Sequence, residues 1–156
     1  MAELRPCYAE ADWAGRIEYL NENENYYYSD GLELVELAEG YAHMIMPLQP
    51  RHMNSRGNVH GGWAATLLEQ AAGKAALSYG SFVVPEQLSV NYHDTCSGGV
   101  LHAVAREKNR GRHLDIFGVD VRDDAGRLIA SGTVTFYILD EKIDVPREKR
   151  QREDDI

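Results

Sequence analysis

Polar and apolar positions along this chain change period several times. Over residues 8–21, Ala9, Trp13, Ile17 and Leu20 recur at helical spacing, with Glu10, Asp12, Arg16 and Glu18 between them. This predicts a short amphipathic helix, ended by the polar run at 21–25. Tyr26, Tyr27 and Tyr28 then read as an extended lead-in. From residue 31 the period becomes two. Leu32 and Leu34 form one stripe, and beyond a Glu39-Gly40 turn Ala42, Met44, Met46 and Leu48 form another. The pattern is that of a β-hairpin, closed by Pro47 and Pro50. Residues 50–60 are polar and read as a loop.

Residues 61–80 break the alternation. GGWAATLLEQAAGKAALSYG is apolar almost all round, so it predicts a buried helix with Gly80 as its stop. Alanine favours helix and is small, so a sheet can wrap closely around such a segment. Period two then returns. Leu88, Val90 and Tyr92 form a stripe, and Val100–Ala105 alternates. A turn at Asn109-Arg110-Gly111 leads to Leu114–Val121, and DDAG at 123–126 leads to a long strand over Ile129–Leu139. The last three segments predict an antiparallel meander.

The order of elements is that of an α+β fold. It predicts an antiparallel sheet of five to six strands wrapped around one long central helix, plus a short N-terminal helix. One helix covers one face of such a sheet, so a second subunit is expected on what remains. The expected divisions are a helical extension at 1–29, one domain at 30–140, and a charged tail at 141–156 without fixed structure.

Composition narrows the function. The 156 residues include 16 Lys+Arg and 25 Asp+Glu, for a net charge of -9. That argues against general nucleic-acid binding, which needs a basic face. Cys7 and Cys96 offer neither a disulfide framework nor a zinc motif, and Cys96 reads as a surface-loop thiol. His43, His52, His93 and His102 lack metal-ligand spacing. No signal core or membrane span stands out, so the expectation is a soluble cytoplasmic protein.

Two features carry candidate chemistry. Glu69 sits mid-helix between Leu67-Leu68 and Ala71-Ala72. Either it shares an exposed stripe with Gln70 and Lys74, or it is a carboxylate held in a semi-apolar cleft, as catalytic carboxylates are. His60-Gly61-Gly62 opens the same helix. Its N–H groups belong to the unsatisfied first turn, which suits an oxyanion, although a glycine-rich junction would look the same. Gly61 and Glu69 are eight residues apart, about 12 Å along a straight helix. If they cooperate, one comes from another subunit or from a bent helix start. The basic residues Arg106, Lys108, Arg110, Arg112 and His113 surround one turn, either as a solvated tip or as a phosphate site.

The stretch Asn54-Ser55-Arg56-Gly57-Asn58-Val59-His60-Gly61-Gly62, with Glu69 following, resembles the hotdog-fold acyl-CoA thioesterases of the phenylacetate-pathway (PaaI-like) branch. The likeness extends over roughly residues 30–140. It includes Leu88–Tyr92, the turn with Arg112, and Ile129–Thr133. The resemblance implies hydrolysis of an acyl-CoA thioester, with coenzyme A as part of the substrate and no separate cofactor. Glu69 matches the nucleophile or general base. Gly61 matches the backbone donor to the thioester carbonyl. Asn54 matches the residue that positions that carbonyl or the water, and His60 the orienting histidine. Gly57 and Gly62 match the glycines that shape the turn, and Arg110 and Arg112 are candidates for the coenzyme A phosphates. The implied assembly is a homodimer or homotetramer with the active site between subunits. Pro85 and Gly73 stand where relatives often carry Thr or Ser, which keeps open a non-catalytic acyl-CoA binding module on the same fold.

Overall fold

The structure, a computed structural model, describes residues 8–23 and 30–143. The expectations for Cys7, for Tyr26–Tyr28 and for the outer tail lie outside the described residues.

The first helix, α1, spans Trp13–Glu22. It is capped by Asp12, whose carboxylate accepts from the Gly15 N–H at 2.8 Å. Strands β1 (Glu33–Ala38) and β2 (Tyr41–Pro47) form the expected hairpin. Gly40 turns it with φ +67°, a conformation glycine adopts without steric cost. The loop that follows holds one turn of tight helix at Pro50–His52 and a bridge between Met53 and Val59. The central helix α2 spans Gly61–Leu77. After it come β3 (Ser81–Tyr92), β4 (Val100–Arg110), β5 (Leu114–Arg122) and β6 (Leu128–Lys142).

The six strands form one antiparallel sheet in the order β1-β2-β4-β5-β6-β3. The meander β4-β5-β6 is as the alternation predicts. Strand β3 skips to the far edge and pairs with β6, which leaves its other side free among the described residues. The sheet curls around α2. Ala64, Leu67, Leu68, Ala71, Ala72, Ala75 and Ala76 are buried against it, and they meet Ala42, Met44, Leu101, Ala103, Phe117, Val121, Val134 and Phe136 in one core. Alanines on both sides of this contact allow the backbones to approach closely at ordinary interior packing density.

The far end of α2 is closed by the N-terminal segment. Tyr8 donates to the Leu77 carbonyl at 3.0 Å, and Arg16 donates to the Ser78 carbonyl at 3.0 Å. These bonds satisfy carbonyls that a helix end leaves without partners. The Arg16 guanidinium also lies over the rings of Tyr8 and Trp13.

Several boundaries differ from the expectation. Strand β3 begins at Ser81, well before Leu88, and contains Pro85. A proline is tolerated there because it lies on a sheet edge and beside a bulge between Pro85 and Gln87. Strand β4 continues through Asn109 and Arg110, so the turn begins at Gly111. Strand β6 reaches Lys142, past Leu139, and Ile143 beyond it is buried with its N–H on the Gly80 carbonyl at 2.9 Å. One apolar residue anchors what reads in sequence as a uniformly charged tail.

Candidate active site

The glycine-rich motif is a built loop. The Asn54 side-chain oxygen accepts from the N–H groups of Arg56 at 2.9 Å and Asn58 at 3.2 Å. Its backbone N–H donates to Asn58 O at 2.7 Å, and Gly57 N–H donates back to Asn54 O at 3.0 Å. Gly57 turns the loop with φ +79°. Asn54 therefore uses its oxygen to fold the loop and presents its amide NH2 as the end that can donate to a ligand.

The loop rests on buried supports. Val59 N–H donates to the Cys96 carbonyl at 2.7 Å, and His60 N–H to the His52 carbonyl at 2.8 Å. Cys96 is 4% exposed, so it is not the surface-loop thiol its neighbours suggest; the 93–99 loop folds beneath the motif. His52 is fully buried. Its Nδ1 accepts from Gln49 N–H at 2.9 Å and its Nε2 sits 3.0 Å from Asp30 O, and its ring meets Trp63 edge to face. Burial pushes its pKa below the usual histidine range, which suits a neutral ring that accepts at one nitrogen and donates at the other.

At the start of α2, the carbonyl of His60 accepts from Trp63 N–H at 3.0 Å and Ala64 N–H at 3.3 Å. The His60 side chain is exposed and makes no capping bond. The Gly61 and Gly62 N–H groups thus begin the helix without an intrahelical acceptor, at its positive end. A Cβ on Gly62 would meet nothing within 4 Å, so the fold does not require glycine there. Gly61 is different. The ring of Tyr92, the last residue of β3, lies 3.1 Å from the place a Cβ would take, and the Tyr92 hydroxyl donates to Gly61 O at 3.0 Å. Tyr92 counts in sequence only as part of an apolar stripe. Its hydroxyl is the one signal that could have marked it.

Glu69 lies two turns along α2 and is half-buried. Gln70 Nε2 donates to Glu69 Oε2 at 3.0 Å. The exposed-stripe alternative fails, because Lys74 is only 5% exposed and Gln70 is half-buried. The chain thus brings Asn54, Gly57, His60, Gly61 and Gly62 together. It leaves Glu69 about 12 Å further along the same helix.

The basic residues divide. Arg106 and Lys108 line a groove of about 640 Å³ on the sheet. Arg110 turns inward, where its guanidinium pairs with the buried Asp115 carboxylate and lies 3.7 Å above the Tyr79 ring. Arg112 is exposed and lines a recess of about 480 Å³ with His113, Tyr137 and Lys142. Beside Arg110 lies an acid pair. Asp115 is fully buried, Tyr79 donates to Glu107 at 2.7 Å, and one oxygen of each carboxylate has no other partner among the described residues. Burial, and a hydrogen bond shared with Glu107, push the Asp115 pKa up to about 7 despite Arg110.

Comparison with known proteins agrees with this architecture. Residues 56–130 match the thioesterase superfamily. The chain is 28% identical over 112 residues to a proofreading thioesterase, EntH, of Cronobacter turicensis, covering 70% of this chain and 82% of that protein. A mutant of the phenylacetic acid degradation protein PaaI from Thermus thermophilus superposes with a TM-score of 0.71 at 26% identity, over 74% of this chain and all of that one. A hypothetical thioesterase protein from Streptococcus pneumoniae, solved with coenzyme A, superposes with a TM-score of 0.69 at 26% identity, over 72% of this chain and 88% of that one.

Proposed function

From the match of residues 56–130 to the thioesterase superfamily, we propose that the protein hydrolyses an acyl-CoA thioester to the free acid and coenzyme A. The observation that carries the proposal is the helix start at Gly61-Gly62, open to an anion, on the same helix as the half-buried Glu69.

In this reading the thioester carbonyl sits against the Gly61 N–H, with the Asn54 amide beside it. Glu69 either takes a proton from water as the water adds to the carbonyl carbon, or adds itself to give an anhydride that water opens. Negative charge collects on the carbonyl oxygen, where the helix N–H group stabilises it. The carbon–sulfur bond breaks, and the thiolate of coenzyme A takes up a proton as it leaves. His60 orients the motif, and Gly57 and Gly62 let the substrate approach the backbone. Coenzyme A enters as part of the substrate.

Separation of Gly61 from Glu69 along one helix supports a site completed by a second copy. The free edge of β3 gives the means. Val84 is 44% exposed, Leu88 42% and Tyr92 57%, an apolar edge that an isolated chain would leave in water. Two such edges pairing antiparallel bring the Ser81 end of one against the Tyr92 end of the other. The recess of Arg112, His113 and Lys142 lies at the Ser81 end. In a dimer it then flanks the partner's Gly61 and suits the phosphates of coenzyme A. Arg112 is the better candidate, since Arg110 is already paired with Asp115. The working form in this reading is a cytoplasmic homo-oligomer.

The experiment is Glu69→Gln against a panel of acyl-CoAs. Loss of a general base lowers kcat/KM by about 10² to 10⁴. Turnover of the best substrate at the wild-type rate would remove Glu69 from the mechanism. Tight binding of acyl-CoA by the wild type without turnover would identify a binding module instead.

A further inference from the structure

We infer that Tyr92 is a positioning residue for the Gly61 turn that carries the oxyanion donor. The inference rests on the thioesterase reading. Two consecutive glycines open α2. The His60–Gly61 peptide is held at its carbonyl by Trp63 and Ala64 N–H, but glycine is the residue with most backbone freedom, so the Gly61 side of the turn relies on a restraint from elsewhere. The His60 side chain does not cap the turn. Electrostatic stabilisation of an oxyanion needs a donor fixed beforehand, and a misplacement of about 1 Å can cost 10²-fold in rate.

Tyr92 supplies the fixing from outside the helix. Its hydroxyl donates to Gly61 O at 3.0 Å, which ties down the peptide between Gly61 and Gly62 and so holds the Gly61 residue from the side opposite its own N–H. Its ring packs close to the place a Cβ on Gly61 would take, with Cε1 and Cζ both 3.1 Å away. The side chain thus clamps the Gly61 backbone by a bond on one side and a van der Waals wall on the other. The clamp is itself held. Tyr92 pairs with Ala130 of β6, and the next residue, His93, donates its N–H to Ile129 O at 2.8 Å and contacts Ser131 Oγ through Nε2 at 2.7 Å. A strand at the sheet edge therefore sets the geometry of a turn in the loop–helix junction.

The test uses Tyr92→Phe, Tyr92→Ala, Gly61→Ala and the Gly61→Ala/Tyr92→Ala double variant of the full chain, assayed on the best acyl-CoA. Tyr92→Phe keeps the wall and removes the bond. It is expected to lower kcat about fivefold, the worth of one hydrogen bond, with KM within about twofold and the melting temperature unchanged. Gly61→Ala pushes the ring away by a few tenths of an ångström and is expected to cost about as much as Tyr92→Phe, whereas the double variant is no slower than Tyr92→Ala alone. In Tyr92→Phe the Gly61 and Gly62 amides should also show lower NMR order parameters, whether or not the protein turns over a given substrate. Unchanged kcat in Tyr92→Phe, losses that simply add in the double variant, or unchanged order parameters would overturn the inference. A wild type that hydrolyses no acyl-CoA overturns the thioesterase reading instead, and the order parameters still decide the clamp.

Discussion

Gly132 on β6 is the tightest glycine in the chain, and Gly132→Ala should destabilise the fold sharply. A Cβ there would lie 2.2 Å from the carbonyl oxygen of Ser89, with Leu68 Cδ1 at 3.1 Å. Ordinary contact starts near 3.4 Å. The oxygen would have to retreat by roughly 1.2 Å, the difference between those two distances. It belongs to the backbone of β3, which pairs with β6 through Thr133↔Ser89, Gly132↔Val90 and Ser131↔Asn91. No rotamer change relieves the clash, and the sheet must open locally or shift its register. Overpacking costs about 1–3 kcal/mol where side chains can adjust, so about 3 kcal/mol is the expectation here. For a domain of this size that is on the order of 10 °C in melting temperature. The assay is thermal unfolding followed by far-UV circular dichroism at fixed protein concentration. A melting temperature within about 2 °C of wild type would show that β3 and β6 are not packed as described.

Other substitutions test separate parts of the structure. Gly73→Ala places a methyl group at ordinary contact distance, 3.7 Å from Phe136 Cζ, in the interior of α2, so it should raise stability by about 1 kcal/mol in denaturant unfolding. Gly62→Ala meets nothing within 4 Å and should leave the melting temperature unchanged or higher while lowering turnover of acyl-CoA; unchanged kinetics would show that no ligand approaches Gly62. Asp115 has a folded pKa raised to about 7 from 3.8, so its contribution to stability is full below about pH 4 and is lost as pH rises through 7. The melting temperature of Asp115→Asn relative to wild type should therefore rise from pH 5 to pH 8, and a pH-independent difference would contradict the protonated pair.

The sheet was legible in sequence because one of its faces is buried. Met44 and Met46, Leu101 and Ala103, and Val119 and Val121 alternate with exposed or half-buried neighbours, which is the signature of a one-sided sheet. The first half of strand β3 escaped for the same reason. At the free edge it is exposed on both faces from Val84 to Ser89, so it shows no alternation. Buried polar residues were the other blind spot. His52, Lys74 and Asp115 are all interior, and each needs a partner from a distant part of the chain to be so. Sequence spacing shows no such partners. Arg110 is the instructive case. Read locally, it is one of several cations on a hairpin and a candidate for phosphate. In the fold, Asp115 across the strand pair takes its guanidinium.

The motif residues were legible for a different reason. Asn54, Gly57, His60 and Gly61 build the loop and helix start through local bonds and turns within nine residues, so their spacing is their structure. What the spacing omits is rigidity. A loop whose own bonds are an Asx-type turn and two glycines does not by itself hold a donor to a fraction of an ångström. The fixing comes from Cys96 O on Val59, His52 O on His60 and Tyr92 Oη on Gly61. Two of these three are contributed by the segment 92–96, where β3 ends against β6. The free edge of β3 is also the surface on which a second copy would pair. Pairing there would press on the strand that carries the Tyr92 clamp. The same strand would then join the copies and steady the helix start, so assembly and the alignment of Gly61 would be coupled through β3 rather than being separate requirements of the site.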